Sequence, residues 1–241
     1  MQNVHAERSA GWSAICFIAV LMIATFITSP LAPPTYDPAH LALLIDMNRS
    51  HLLFGAWLSF PAAGFFLWFL VGLRAYLSQA PGRPEGLPTF ALIAGVVMTT
   101  EALLAASLQT ALVYVRPEVF QANGLAGVYG AFIFTQEGLG YAPVAIFLFA
   151  AAHSMRRHHS APSWLAWLGY LAALGAAFST LSIFYTDPTM SPWGQGPGLM
   201  GALPSAVWIV ATGIVLIRTP DQPAEPALPA DTSALDTHKP G

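Results

Sequence analysis

The amino-acid sequence predicts an all-α fold, a polytopic membrane bundle of six transmembrane helices with its N- and C-termini cytoplasmic. Three observations carry that prediction. The first is composition: 55% of the 241 residues are hydrophobic and 9% are charged, whereas a soluble domain carries about a quarter charged residues. The second is a series of apolar runs, at approximately 11–29, 51–74, 88–115, 124–152, 163–185 and 197–217. Crossing a hydrocarbon layer about 30 Å thick takes about 20 helical residues. The runs lack the alternation of a barrel strand, and an open sheet leaves its backbone unsatisfied in lipid.

The third observation is the placement of the nine basic residues. Six spans put Arg8, Arg74, Arg83, Arg156, Arg157, Arg218 and Lys239 on the side of the N-terminus and leave Arg49 and Arg116 opposite. Short cytoplasmic loops retain Lys and Arg, and an odd number of spans would destroy the partition. The expected organisation is a cytoplasmic N-terminus over 1–10, a transmembrane domain over 11–218 and a disordered cytoplasmic tail over 219–241. The tail is rich in Pro, Ala and acids and has no apolar period. The first run has a long apolar core, a single arginine before it and no clear small-x-small site, so it reads as a retained span rather than a cleaved leader.

Taken in chain order, the first run contains Cys16, the one cysteine, which excludes a disulfide framework or a thiolate metal site and is expected to pack. The Pro-rich connection that follows turns helical near Pro38, with Asp37 placed to cap. Leu41, Leu43, Leu44 and Ile45 then suggest a helix lying near the outer interface. Asp46 and Arg49 are three apart and can pair, and with His51 they form an outer-face candidate site. An ordinary surface ion pair and a helix-end histidine explain the same residues. In the second run Trp57, Phe60, Phe65, Phe66 and Trp68 either line an apolar pocket or meet lipid, and Pro61 is expected to kink the helix. QAPGRPEGLP and YTDPTMSPWGQGPG mark loops. In the fourth run Ala126, Gly127, Gly130 and Ala131 have the spacing of a close helix contact. Trp12, Trp164, Trp167 and Trp193 are expected at the interfaces.

Two acids lie inside the spans. Glu101 and Glu137 fall near the middle of the adjacent third and fourth runs and are expected at matched depth. A charged side chain at the bilayer centre costs about 2.5–3.5 kcal/mol on insertion scales, so such residues face protein or water. Gln109 shares a broad face with Glu101, because eight helical residues rotate by about 80°, and Thr100 lies alongside. Tyr141 is one turn from Glu137, with Gln136, Thr135 and Tyr129 near; Pro143, two residues further on, frees a carbonyl. The candidate buried polar site is therefore Glu101, Glu137, Gln136, Gln109, Tyr141 and Tyr129. Two carboxyls held side by side are expected to share a proton. The simpler alternative is an interhelical hydrogen bond, worth about 1 kcal/mol.

The seven histidines divide between the two faces, and no HExxH or HxxxH pair lies on a span. No metal and no cofactor are expected, which argues against a di-iron desaturase. The formal net charge of −3 gives no reason to expect a nucleic-acid partner, and four of the twelve acids sit in the tail after residue 220. The expected partners are membrane lipid and a small lipophilic molecule or a proton; the oligomeric state is not readable. Three functions fit: binding or moving a small solute or protons at the acidic site, an intramembrane isomerase or terpene-type cyclase in which one glutamate donates a proton and the other, or Tyr141, accepts, or a structural or accessory subunit of a membrane complex.

The segment APSWLAWLGYLAALG, residues 161 to 175, has a Pro-x-Trp-Leu-x-Trp-Leu-Gly helix start. With the six-span plan, the Asn-Arg before the second span and a Trp in the last span, it resembles small six-span bacterial inner-membrane proteins of unknown function. The resemblance implies a bacterial inner (plasma) membrane location and assigns no catalytic residue.

Overall fold

The computed structural model describes residues 2–28, 38–78, 86–114, 122–158, 160–187, 189–192 and 194–218. Asp37, Trp193 and the tail lie outside them. All regular structure in the described residues is helical: α1 Gln2–Thr28, α2 Pro38–Met47, α3 Arg49–Leu77, α4 Gly86–Tyr114, α5 Ala122–Ile133, α6 Tyr141–His158, α7 Ser163–Thr180 and α8 Leu203–Arg218. A π-helical turn, Phe134–Gly138, joins α5 toward α6, a 3-10 turn, Leu181–Phe184, extends α7, and a second π turn, Gly198–Ala202, precedes α8.

Six segments are long and apolar enough to cross a membrane: Glu7–Thr28, Arg49–Leu77, Gly86–Tyr114, Gly124–Arg157, Ser163–Phe184 and Gly198–Arg218. The chain is a multi-pass membrane protein of all-α fold. An even number of crossings brings the chain back to the side it started from. We call this the terminal side and the other the far side.

Each span packs on the next in sequence, α1 on α3, α3 on α4, α4 on α6, α6 on α7 and α7 on α8, and α8 closes the ring on α1. The closure between α1 and α8 is a reciprocal glycine contact. A Cβ on Gly11 would lie 2.6 Å from the Gly213 carbonyl oxygen, and one on Gly213 would lie 2.9 Å from that of Gly11. Backbones that close need residues without side chains, as is usual where van der Waals packing rather than water expulsion joins helices.

A chain of aromatic rings fills the centre. Phe17 on α1 meets Phe66 on α3 at 4.7 Å, Phe66 meets Phe147 on α6 edge-on at 5.7 Å, and Phe147 meets Trp208 on α8 edge-on at 5.8 Å. Tilted and edge-to-face rings are the arrangement their quadrupoles favour. Trp208 is fully buried and its indole donates to the Leu165 carbonyl at 3.1 Å. That carbonyl belongs to the Pro-x-Trp-Leu helix start, and Gly169 of the same motif clears the space the indole occupies, since an added Cβ would lie 2.6 Å from its nitrogen.

Helix α2 packs its Leu41 and Ile45 with Leu52, Leu112, Val113 and Leu125, forming a small apolar cap at the far side. Pro38 opens it, where a missing N–H costs nothing. It runs almost directly into α3: the Asn48 amide and its Nδ2 both donate to the Leu44 carbonyl, at 3.1 and 2.9 Å. Phe66 joins the core, while Trp57, Phe60, Phe65 and Trp68 point outward, so α3 presents most of its aromatics to the surroundings rather than to a pocket.

Candidate functional site

The stretch FTQEG, which carries Glu137, leaves the α-helical path. The Leu139 amide bonds the Phe134 carbonyl at 3.1 Å, one residue wider than an α-helical bond. Pro143 has no N–H to offer the Leu139 carbonyl, and the Ala142 amide takes it instead at 2.9 Å. Gly140 makes this crossover feasible, because a Cβ there would lie 2.3 Å from the Thr135 carbonyl oxygen and 2.9 Å from that of Gln136. The fourth span is therefore a broken helix. Irregular backbone inside a membrane is tolerated where protein or a cavity surrounds it, and π turns recur at functional sites.

Beyond the break, Tyr141 is buried and its hydroxyl donates to Glu137 Oε2 at 3.0 Å. Ser182, in the 3-10 turn, donates to the Glu137 carbonyl at 3.2 Å. The second π turn closes on the same place: a Cβ on Gly201 would lie 2.7 Å from the Tyr141 ring and 2.8 Å from Ser179 Oγ. Ser179 bonds the Gly175 and Pro197 carbonyls at 3.0 and 2.9 Å, and Ser205 bonds that of Gly201. The connection between α7 and α8 is itself tied, with Asp187 Oδ1 accepting from the Thr189 and Met190 amides at 2.9 Å. Three departures from α-helical geometry thus converge on Glu137 and Tyr141. The Glu137 carboxyl is half-buried, and Tyr141 is its one hydrogen-bond partner among the described residues.

On the fifth and sixth spans the site lies near the far-side ends. Ser182 is two residues from the end of the span Ser163–Phe184, and Gly201 is in the first turn of Gly198–Arg218. The fourth span is 34 residues long against 22 and 21 for the fifth and sixth, so its own midpoint is not theirs.

Glu101 is half-buried on α4 between exposed Val97, Thr100 and Leu104, and among the described residues no hydrogen bond or ion pair joins it to Glu137. Gln109, eight residues further along α4 and so about 12 Å nearer the far side, is buried and donates to the Leu52 carbonyl at 3.0 Å. It clamps α4 to α3. Gln136 is exposed, while Thr100 and Thr135 turn their hydroxyls back to the Val96 and Ala131 carbonyls. Tyr129 packs at 6.5 Å from Phe132 beside the far-side cap. Of the six candidates, the structure joins Glu137 and Tyr141.

At the outer-face candidate, Asp46 and Arg49 line a shallow depression with Met47, Ser50 and Leu53. The Arg49 guanidinium lies 5.3 Å above the Tyr114 ring, and no ion pair with Asp46 occurs among the described residues. His51 is exposed. No group of three or more metal-ligating side chains occurs among the described residues. Among the described residues nothing lies within 4 Å of a Cβ added to Gly127 or Gly130, so no close helix contact forms at these two glycines.

Ser179, Ser182 and Gly201 escaped sequence reasoning. The signal available was three glycine- and proline-bearing stretches, GLGYAP inside the fourth span and SPWGQGPG and MGALP at the start of the sixth. Glu7 also escaped it: α1 starts at Gln2, ahead of the first apolar run, and Glu7 is 4% exposed close to Tyr76. There the Tyr76 hydroxyl donates to the Ser160 carbonyl and the Trp68 indole to Ser9 Oγ at 3.1 Å.

Fold and site together define a multi-pass membrane protein whose fourth span breaks around a glutamate–tyrosine pair. No protein-family model, curated protein or solved structure matches the chain.

Proposed function

We propose that this chain binds a small solute, or a proton, at Glu137 and that the broken fourth span is the element that admits it. The observation that carries the reading is the π turn placing Glu137 against Tyr141 while the carboxyl keeps capacity for a further hydrogen bond. A carboxyl in a span is costly unless it is used or satisfied, and a discontinuous helix is the usual way a membrane protein frees backbone groups for a ligand. The nearness of Ser182 and Gly201 to the ends of their spans supports access from the far side. Below the site the rings of Phe66, Phe147 and Trp208 fill the centre, so movement across the membrane would require the broken span to shift. The proposed location is a bacterial inner membrane, with lipid around the bundle.

The test compares wild type with Glu137→Gln, which keeps the side chain's length and can still accept from Tyr141 but cannot titrate. Small molecules extracted from the two purified proteins are identified by mass spectrometry, and proton flux is followed in liposomes. A compound retained by wild type alone, or flux lost in the variant, supports the site. Equal contents and equal flux in two equally folded preparations would remove it.

A further inference from the structure

A second constellation lies at the terminal side of the α6–α7 hairpin, away from Glu137. Arg156 and Arg157 close the span Gly124–Arg157. The Arg156 guanidinium lies 4.5 Å above the ring of Trp167. Trp167 meets Tyr170 edge-on at 5.8 Å, the Tyr170 hydroxyl shares a hydrogen bond with His153 Nδ1 at 2.9 Å, and His153 stacks on Phe149 at 5.8 Å with 8° between planes. The ladder grades from hydrocarbon at Phe149 to fixed cation at Arg156 over two helical turns, which is the gradient of a bilayer interface.

The cation–π contact with Trp167 engages none of the Arg156 N–H donors in a hydrogen bond among the described residues. No carboxylate pairs with Arg156 or Arg157 among the described residues, and both are exposed. Directly below, Trp167, Leu171, Leu174 and Phe178 are 59%, 62%, 54% and 55% exposed and follow a spacing of four, three and four residues. They make one continuous apolar ridge along α7. Two exposed adjacent cations, one of them seated on Trp167 at the head of an apolar ridge, complement an anionic lipid in both charge and polarity.

We infer that the α6–α7 hairpin binds an anionic phospholipid, its phosphate held by Arg156 and Arg157 and an acyl chain lying along the α7 ridge. The inference is independent of the role of Glu137.

Full-length protein in mild detergent is offered equal amounts of phosphatidylglycerol and phosphatidylcholine with matched acyl chains, and retained lipid is read by native mass spectrometry. Wild type is expected to enrich the phosphatidylglycerol. Arg156→Gln combined with Arg157→Gln should lower that preference by about thirtyfold, the factor for two basic groups at a membrane surface. Arg156→Lys, which keeps charge but not the planar stack, should lower it less. Absence of preference in wild type, or an unchanged preference in the double variant, overturns the inference. So does a rise in thermal stability with inorganic phosphate alone equal to that with the lipid, and so does a dimer that forms through this face and excludes lipid. Should the double variant not fold, Arg157→Gln decides, because among the described residues Arg157 lies over no ring.

Discussion

The terminal-side and far-side halves of this bundle are built on different principles. Toward the terminal side the helices are continuous, the ring closes through Gly11 and Gly213, and Phe66, Phe147 and Trp208 interlock without a polar atom left over from the indole. At the far side the fourth, fifth and sixth spans all leave α-helical geometry within contact of one another, and the hydroxyls of Ser179 and Ser182 bond the Pro197 and Glu137 carbonyls there while that of Tyr141 bonds the Glu137 carboxyl. The difference teaches where free energy is stored and where it is spent. Close packing makes one half rigid, and the other half can then tolerate an irregular backbone that no isolated membrane helix would keep.

The largest expected effect lies in the rigid half. Trp208→Ala removes a fully buried ring, its edge contact with Phe147 and its bond to Leu165, and should lower stability by about 3–5 kcal/mol. Thermal unfolding in detergent reads it. A loss as small as a surface substitution would mean that the aromatic chain does not anchor the bundle, and the contrast between the halves would collapse.

Next in size is Gly201→Ala. A Cβ 2.7 Å from the Tyr141 ring forces that ring or the π turn aside, at the overpacking cost of about 1–3 kcal/mol. The displacement should also disturb the phenol that holds Glu137, so the variant is expected to lose whatever Glu137 binds while remaining folded. Unfolding together with unchanged binding in the surviving fraction would show that the site does not depend on the second π turn.

How much of this could be read from the chain follows from which physics each feature obeys. The spans were legible because twenty apolar residues are a direct requirement of bilayer thickness, and every end of the structural spans falls within five residues of its expected position. Pro38 at the start of α2 was legible because proline's geometry is local. Glu137 and Tyr141 were legible as neighbours because they are four residues apart in sequence. The pairing of Glu137 with Ser182 was not, because it depends on the relative register of two spans of unequal length. FIFTQEGLGY also reads as an ordinary helical stretch by its apolar spacing, so the π turn shows itself only through Gly140 and Pro143.

Tyr141→Phe should have a smaller effect on stability, about 0.5–1.5 kcal/mol for one hydrogen bond. The ring stays against Gly201, so the packing of the far side is kept and the change isolates the phenolic hydroxyl. Binding or flux at Glu137 is expected to weaken without being abolished, because the carboxyl remains. Identical behaviour of Tyr141→Phe and wild type in the liposome and mass-spectrometric measurements would leave Glu137 acting alone.

The smallest expected effect is the most informative about the boundary of the site. Glu101 sits on α4 between exposed neighbours and, among the described residues, has no hydrogen bond or ion pair. Glu101→Gln removes a titratable group and keeps the volume, so stability should change by no more than about 0.5 kcal/mol, the range for substitutions away from specific contacts. Binding at Glu137 should not change, because no hydrogen bond or ion pair joins the two acids among the described residues and Gln109, the buried amide of the same helix, is engaged with Leu52. Purified Glu101→Gln assayed beside Glu137→Gln therefore separates two geometries. If only the second variant loses its ligand or its flux, the site is the far-side cluster of broken helices. If both lose it alike, the two carboxyls work as one unit, and a ligand or a rearranged fourth span must join them.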